Sequence, residues 1–249
     1  SALAVGLLAL VLLVLLRTDL ISSWRQATPP DAPNRFVINL QPEQANAFKA
    51  ALQGQGVTRY DWFPMIRGRL TAINGKPVSA ASFAGDRASR LAEREFNLSH
   101  SAQPPEHNRI TAGRWVVDEA DGLSVEEGLA ADLGLKLGDR LRFDVAGQVL
   151  EGRISTLRKV DWGSMRANFF VLFPRAQLPD VPASYISAFK APPPVAGKPS
   201  FDSQLSRDFP NITNIDVSAT IAQVQGVLDQ VVRAVEFLFG FTLLAGLVV

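Results

Sequence analysis

Two uncharged apolar runs bracket this chain and constrain it more than anything between them. Residues 1–16 are nearly all Leu, Val and Ala, and residues 237–249 again carry no charge. A membrane-spanning helix needs about 20 apolar residues. Each run is slightly short of that and meets an end of the sequence. The expectation is two truncated transmembrane helices, 1–17 and 237–249, belonging to a larger membrane protein. A secretory signal would open on a basic stretch and end in a small-residue cleavage site. Here Ser1 starts directly in the run, and Arg17-Thr18-Asp19 follows it. A core helix would show a polar stripe, and this run has none.

The remaining composition excludes several classes. The net charge is +1, with no basic cluster interleaved with aromatics, so nothing favours nucleic acid. There is no cysteine, which removes disulfides, thiol catalysis and thiolate metal sites. Charges beside the two runs nearly cancel: Arg17 and Arg25 against Asp19 and Asp31, then Arg233 against Asp229 and Glu236. Cytoplasmic flanks carry an excess of Lys and Arg, so the balance leans towards the outer side of a membrane.

Between the runs the pattern alternates short strands with a few short helices. Thr28-Pro29-Pro30-Asp31-Ala32-Pro33 is a stiff extended linker, within a segment 18–34. Residues 35–40 read as a strand with Phe36, Ile38 and Leu40 on one face. Pro42 opens a helix that Gly54 ends, burying Ala45, Phe48 and Leu52. Residues 57–63 and 67–73 read as two further strands, the second turning at Asn74-Gly75. Residues 99–114 are polar and contain prolines, and read as a loop. Ser124-Val125-Glu126-Glu127 has the S-x-x-E form of a capping box, opening a helix that buries Leu129, Ala130 and Leu133 and stops at Gly134. Leu141, Phe143 and Val145 alternate with charges as a half-buried strand, and 149–159 returns after Gly147. Residues 168–173 and 185–189 are apolar strands. Ser200 caps a short helix carrying Phe201, Leu205 and Phe209, and 211–215 is a last strand. This gives an α+β domain over 35–215. A strand–helix–strand layer is built from 35 to about 99 and from 168 to 215, with a β-rich insertion at about 110–161.

From Asp216, a natural N-cap, apolar residues fall at Val217, Ile221, Val224, Leu228, Val231 and Val235, in steps of four and three. Gln223, Gln225, Asp229, Gln230 and Arg233 occupy the other face. No Pro or turn signal separates this stretch, 216–236, from the second apolar run. It reads as a stiff amphipathic stalk continuous with a membrane helix, its seam packing either on its own domain or on another stalk.

A search for chemistry finds little. No Walker phosphate loop and no G-x-S-x-G elbow is present. His100 and His107 lack zinc spacing and read as solvated loop side chains. Asp118-Glu119 and Glu126-Glu127 point apart as ordinary solvated or capping charges. Trp62, Trp115 and Trp162 could line an apolar groove or sit in the core, and Trp24 fits an interfacial anchor. No catalytic, cofactor-binding or metal-binding residue is assigned.

At Leu157-Arg158-Lys159-Val160-Asp161-Trp162 followed by Asn168-Phe169-Phe170, the chain resembles the FtsX-type ABC transporter permeases, a superfamily that includes the MacB-like permeases. Arg17-Thr18-Asp19-Leu20, Leu70-Thr71-Ala72-Ile73-Asn74, Ser124 to Ala130 and Leu137-Gly138-Asp139 extend the match. The resemblance marks Arg158, Asp161, Trp162, Asn168, Phe169 and Phe170 as structural signature residues. It implies a MacB-like periplasmic core domain, the second such domain of a multi-pass bacterial inner-membrane permease. It implies a separate cytoplasmic ABC ATPase, a dimer that holds ATP and Mg, and no catalytic residue in the permease itself. It further implies membrane lipids and a periplasmic esterase or thioesterase as partners, and lipid-like or hydrophobic substrates moved by stalk motion. The rival reading is a structural platform that docks a periplasmic hydrolase or envelope protein.

Overall fold

The computed structural model describes residues 31–248 except 84 and 179, together with isolated positions between 8 and 22. In chain order the elements are β1 (Arg35–Leu40), α1 (Ala45–Gly54), β2 (Tyr60–Ile73), β3 (Lys76–Pro77), α2 (Asp86–Glu93), β4 (Glu95–His100), β5 (Asn108–Gly113), β6 (Gly122–Glu126), α3 (Glu127–Leu133), β7 (Arg140–Val145), β8 (Gln148–Val160), β9 (Val171–Phe173), β10 (Ser184–Phe189), α4 (Phe201–Asp208), β11 (Thr213–Asp216) and α5 (Ser218–Val248). The class is α+β with a mixed sheet, since β4–β9 and β6–β8 are parallel and the other pairs antiparallel.

The strands form two zones sharing β2. In the first, β11, β1, β10 and the first half of β2 lie side by side. One face of this sheet is covered by α1 and α4, through Val37, Leu40, Phe48, Leu52, Phe189, Leu205 and Phe209. Phe48 meets Phe209 and Phe189 edge-on at 5.4 and 6.3 Å. In the second zone the pairings run β2–β4–β9–β6–β8–β7 and back to β2, closing a six-stranded barrel. Closure leaves no strand edge in that ring. Its interior holds Ile66, Leu70, Phe96, Leu98, Leu123, Phe143 and Ile154, with α3 supplying Leu129 and Leu133. Each fully buried side chain of this size contributes about 1.5–3 kcal/mol.

Several local expectations hold. Asn74 and Gly75 both take positive φ and turn β2 into β3. Gly134 ends α3 in the left-handed conformation, and the Ser200 hydroxyl accepts from the Ser203 N–H. Others fail for identifiable reasons. Phe36 and Ile38 share a face, but Leu40 joins Val37 on the other, because a bulge at Asn39 (φ 65°) shifts the register. The strands read at 57–63 and 67–73 are one strand, β2. Pro64 sits within it without ending it, its carbonyl accepting from the Ser99 hydroxyl at 2.5 Å. Part of the supposed loop 99–114 is β5, an edge strand paired to β8. Ser124 is not a helix cap. It lies in β6, and Glu126 caps α3 by accepting the Leu129 N–H at 2.7 Å. Of residues 168–173, only Val171–Phe173 forms a strand.

α5 runs without a break from Ser218 to Val248. Among the described residues no helix is long and apolar enough to cross a membrane. The run expected at 1–17 falls mostly outside the described residues, as do Trp24 and most of the linker. So do the side chains beyond Phe241 in the run expected at 237–249.

Candidate functional site

The chain enters and leaves the domain at one place. Arg35 opens β1, and its cross-strand partner is Asp216, the last residue of β11 and two before α5. The Val217 N–H donates to the Asn34 carbonyl at 3.0 Å. Arg35 fastens this junction. Its Nε and Nη2 donate in parallel to the two carboxylate oxygens of Asp202, each at 2.8 Å. Its Nη1 donates to Asp216 Oδ1 at 2.7 Å and to the Ser218 hydroxyl at 3.0 Å. One guanidinium thus ties β1 to α4, to the end of β11 and to the first turn of α5. The Asp216 carboxylate also accepts the Ser218 N–H at 2.8 Å, which satisfies the first free N–H of α5.

The electrostatics agree with the geometry. The hydrogen bond to Asp202, more than burial opposes it, raises the Arg35 guanidinium above its ordinary value. The hydrogen bond from Arg35 holds the Asp202 carboxyl below the usual carboxylate range. Asp216 is lowered first by the bonds from Ser218 and only then by the Arg35 charge. A bidentate Arg–carboxylate pair fixes direction as well as distance, which a single Lys would not. The Arg35 side chain is 11% exposed, so the clamp is partly withdrawn from solvent.

Beyond the joint, α5 leaves the domain behind. Val217 and Ile221, the first two seam residues, are half-buried. Val231 and Val235 are exposed at 47% and 37%, and so are Phe237, Leu238 and Phe241. The side chains of Val224 and Leu228 lie outside the described residues. The described part of the seam therefore does not pack on its own domain past its first turn.

The signature residues converge elsewhere, on the segment 161–170 that straps across the second face of the sheet. Arg158 is fully buried. It donates to the Ser124 hydroxyl at 3.1 Å, to Asn108 Oδ1 at 2.7 Å and to the Phe169 carbonyl at 2.6 Å. Burial pushes this guanidinium down to about 9, partly offset by the Glu126 charge, so it remains cationic at neutral pH. Asn168 donates to the Asp161 carbonyl, and the Asp161 carboxylate accepts the Gly163 N–H. Phe169 enters the small core under the strap with Met65, Leu172 and Ile186. Phe170 packs against Trp162, ring centres 4.6 Å apart, leaving Trp162 49% exposed. The six residues act as a structural clasp.

Sequence reading missed two further parts of that clasp. Buried Asp61 receives both Nε and Nη2 of Arg166, the shortest contact being 2.6 Å, and also the Ala167 N–H at 2.9 Å. That pair raises the Arg166 guanidinium. His107 Nε2 lies 3.0 Å from the Ala167 carbonyl, and its Nδ1 is buried without a partner. His107 and His100 are half-buried, not solvated, and burial lowers both. The tryptophans do not line one groove: Trp62 stacks on Tyr185 at 4.8 Å, Trp115 donates to the Ala102 carbonyl, and Trp162 sits on Phe170.

No family model matches the chain. Over 236 residues, 95% of its length, it is 38% identical to a protein of Escherichia coli (strain K12) described as "Uncharacterized ABC transporter permease YbbP". It spans 28% of that protein's length. A crystallised domain of a Porphyromonas gingivalis protein, provisionally assigned as a permease, aligns with 75% of this chain and 84% of its own. The identity there is 13% and the TM-score 0.36, a likeness that carries no argument.

Proposed function

This chain is related along nearly its whole length to a segment of an ABC transporter permease, and from that premise we propose that it is the periplasmic domain and stalk of such a permease. The protein is a multi-pass inner-membrane subunit without catalytic residues. A separate cytoplasmic ATPase dimer binds ATP and Mg. Hydrolysis there displaces the stalk helix and reshapes the outer domain, driving export or extraction of hydrophobic or lipid-like molecules. Membrane lipids and a periplasmic esterase or thioesterase are the partners on the outer side.

The observation that carries this reading is the Arg35 joint. A tether needs only a flexible connection, whereas here one guanidinium fixes the first turn of a 31-residue helix to β1, α4 and the end of β11. A stiff helix rigidly held at one end passes displacement into the body that holds it. The seam Val217, Ile221, Val224, Leu228, Val231 and Val235 is the coupling face in this reading.

The test uses the full-length permease reconstituted with its ATPase. Arg35→Ala is expected to leave ATP hydrolysis running while export falls at least tenfold. Arg35→Lys, which keeps the charge but not the fork, should fall in between. Normal export by Arg35→Ala would reduce the helix to a tether and leave the docking-platform reading in its place.

A further inference from the structure

Phe189 and Tyr60 are neighbours of Arg35 in the strand register, so the chain before β1, the turn before β2 and the chain after β10 meet at one pole. α5 leaves from that same pole, since Arg35 also pairs with Asp216. An open cleft of about 480 Å³ lies there. Its charged lining is Asp31, Asp61 and Glu106 against Arg59, Arg166 and Lys190. Val57, Tyr60 and Pro33 give it apolar wall.

We propose that this cleft binds a zwitterionic phosphate–ammonium group. A purely anionic ligand would meet three cations but also three carboxylates, and a cation would meet the reverse, so neither gains from the whole ring. A ligand carrying both signs over a few ångströms matches it. Two of the lining charges cannot turn to a ligand cheaply. Asp61 is buried and bound by both Nε and Nη2 of Arg166, and breaking such a pair exposes an uncompensated charge. The pair at the mouth of the cleft is different. Arg59 and Asp31 meet at 3.0 Å with side chains 78% and 63% exposed. Such a surface pair contributes only about 0–1 kcal/mol and opens readily. Arg59 then offers a planar donor fork for phosphate, and Asp31 with Glu106 accepts from an ammonium.

The ligand group has two sources: a soluble glycerophosphoethanolamine, or the headgroup of phosphatidylethanolamine in a bilayer. The bilayer source rests on the proposed membrane placement of this pole. The chemistry of the cleft does not.

The full chain in a sugar-headgroup detergent is titrated with glycerophosphoethanolamine, glycerol phosphate and ethanolamine by calorimetry. The first should bind, and the other two at least tenfold more weakly. Arg59→Gln and Glu106→Gln, both at exposed side chains, should each weaken it by about tenfold. Glu151→Gln, in a charge cluster on the barrel, should change nothing. Failure of glycerophosphoethanolamine to bind overturns the proposal, as does binding untouched by both cleft variants. Co-sedimentation with phosphatidylethanolamine against phosphatidylglycerol vesicles separates the sources. A preference for phosphatidylethanolamine that the cleft variants abolish assigns the bilayer. Soluble binding without that preference supports the site and counts against the membrane placement alone.

Discussion

The barrel and the four-stranded sheet share β2, yet they manage their edges in opposite ways. In the barrel every strand of the ring has two partners, and its apolar side chains point into one sealed interior. In the sheet, β11 is an edge strand that runs directly into a helix exposed along most of its described length. The barrel is therefore suited to resist deformation, and the sheet to receive it. Between them lies the strap 161–170, fixed to the sheet by Asp61 and to the barrel by Arg158. The contrast places most of the sealed core in the barrel and its clasp, and the proposed coupling role assigns the sheet and its joint the transmission of movement.

The largest expected effect is on the clasp. Arg158→Ala removes a buried cation and leaves the Phe169 carbonyl, Asn108 and Ser124 without their donor. The loss should be about 3–5 kcal/mol, read as a lowered urea midpoint of the full chain. A loss below about 1 kcal/mol would mean the strap does not join the two zones. Gly113→Ala tests the same region from outside the ring. Gly113 has φ 77°, and a Cβ there would run into the Ser155 carbonyl, so β5 should detach from β8.

The next effect belongs to the helix and should leave the barrel untouched. Gln225→Pro removes a helical hydrogen bond and kinks α5, at a local cost of about 3 kcal/mol. Gln225 is exposed, and described seam residues beyond it are exposed too. The unfolding free energy of the domain from urea titration should stay within about 0.5 kcal/mol of the parent, and under the proposed coupling role export should uncouple from ATP hydrolysis. A large drop in domain stability would erase the division between the two regions.

That division was only partly legible in the amino-acid sequence. Features set within a few residues were readable: the Asn74-Gly75 turn, the Gly134 stop, the Ser200 cap, the run of alternating residues in β7. Features set by distant partners were not. Arg35 opens a strand like any charged first residue, and its carboxylate partners lie 167 and 181 positions away. Asp61 and Arg166 are 105 apart, and nothing in the spacing of either announces the other. Barrel closure depends on β7 pairing both β2 and β8, which no local pattern encodes. Ser124 shows how a sound local rule fails. Its spacing from Glu127 fits a capping box, but the buried Arg158 takes its hydroxyl inside a strand. The stalk seam was readable as a period, whereas its partner is a question that the period alone does not answer.

The smallest effect separates the two regions by acidity. His107 Nε2 faces the Ala167 carbonyl, so Nε2 carries the proton and Nδ1 is the buried, unpartnered atom. Protonating Nδ1 would place a further cation in the clasp, beside Arg166 as well as Asp61, with Asn168 the side chain in reach to accept from it and the exposed Glu106 near. Burial already lowers the folded value of this histidine, so the unfolded chain takes up its proton first as pH falls. Its contribution to stability is thus complete above about pH 6.5 and declines below it, towards the lower folded value. His100, also lowered by burial, adds a loss of the same sign. The joint is unaffected over that window. Asp202 is held below the usual carboxylate range, so its contribution persists until pH falls below about 4. At pH 5 the clasp should be weakened and the Arg35–Asp202 pair intact. Urea titrations at pH 7 and pH 5, followed by tryptophan fluorescence, should show a fall in midpoint that His107→Phe reduces and Asp202→Asn leaves unchanged. If His107→Phe kept the full pH dependence, the acid sensitivity would belong to His100 or the joint, and the clasp would not be the region that yields first.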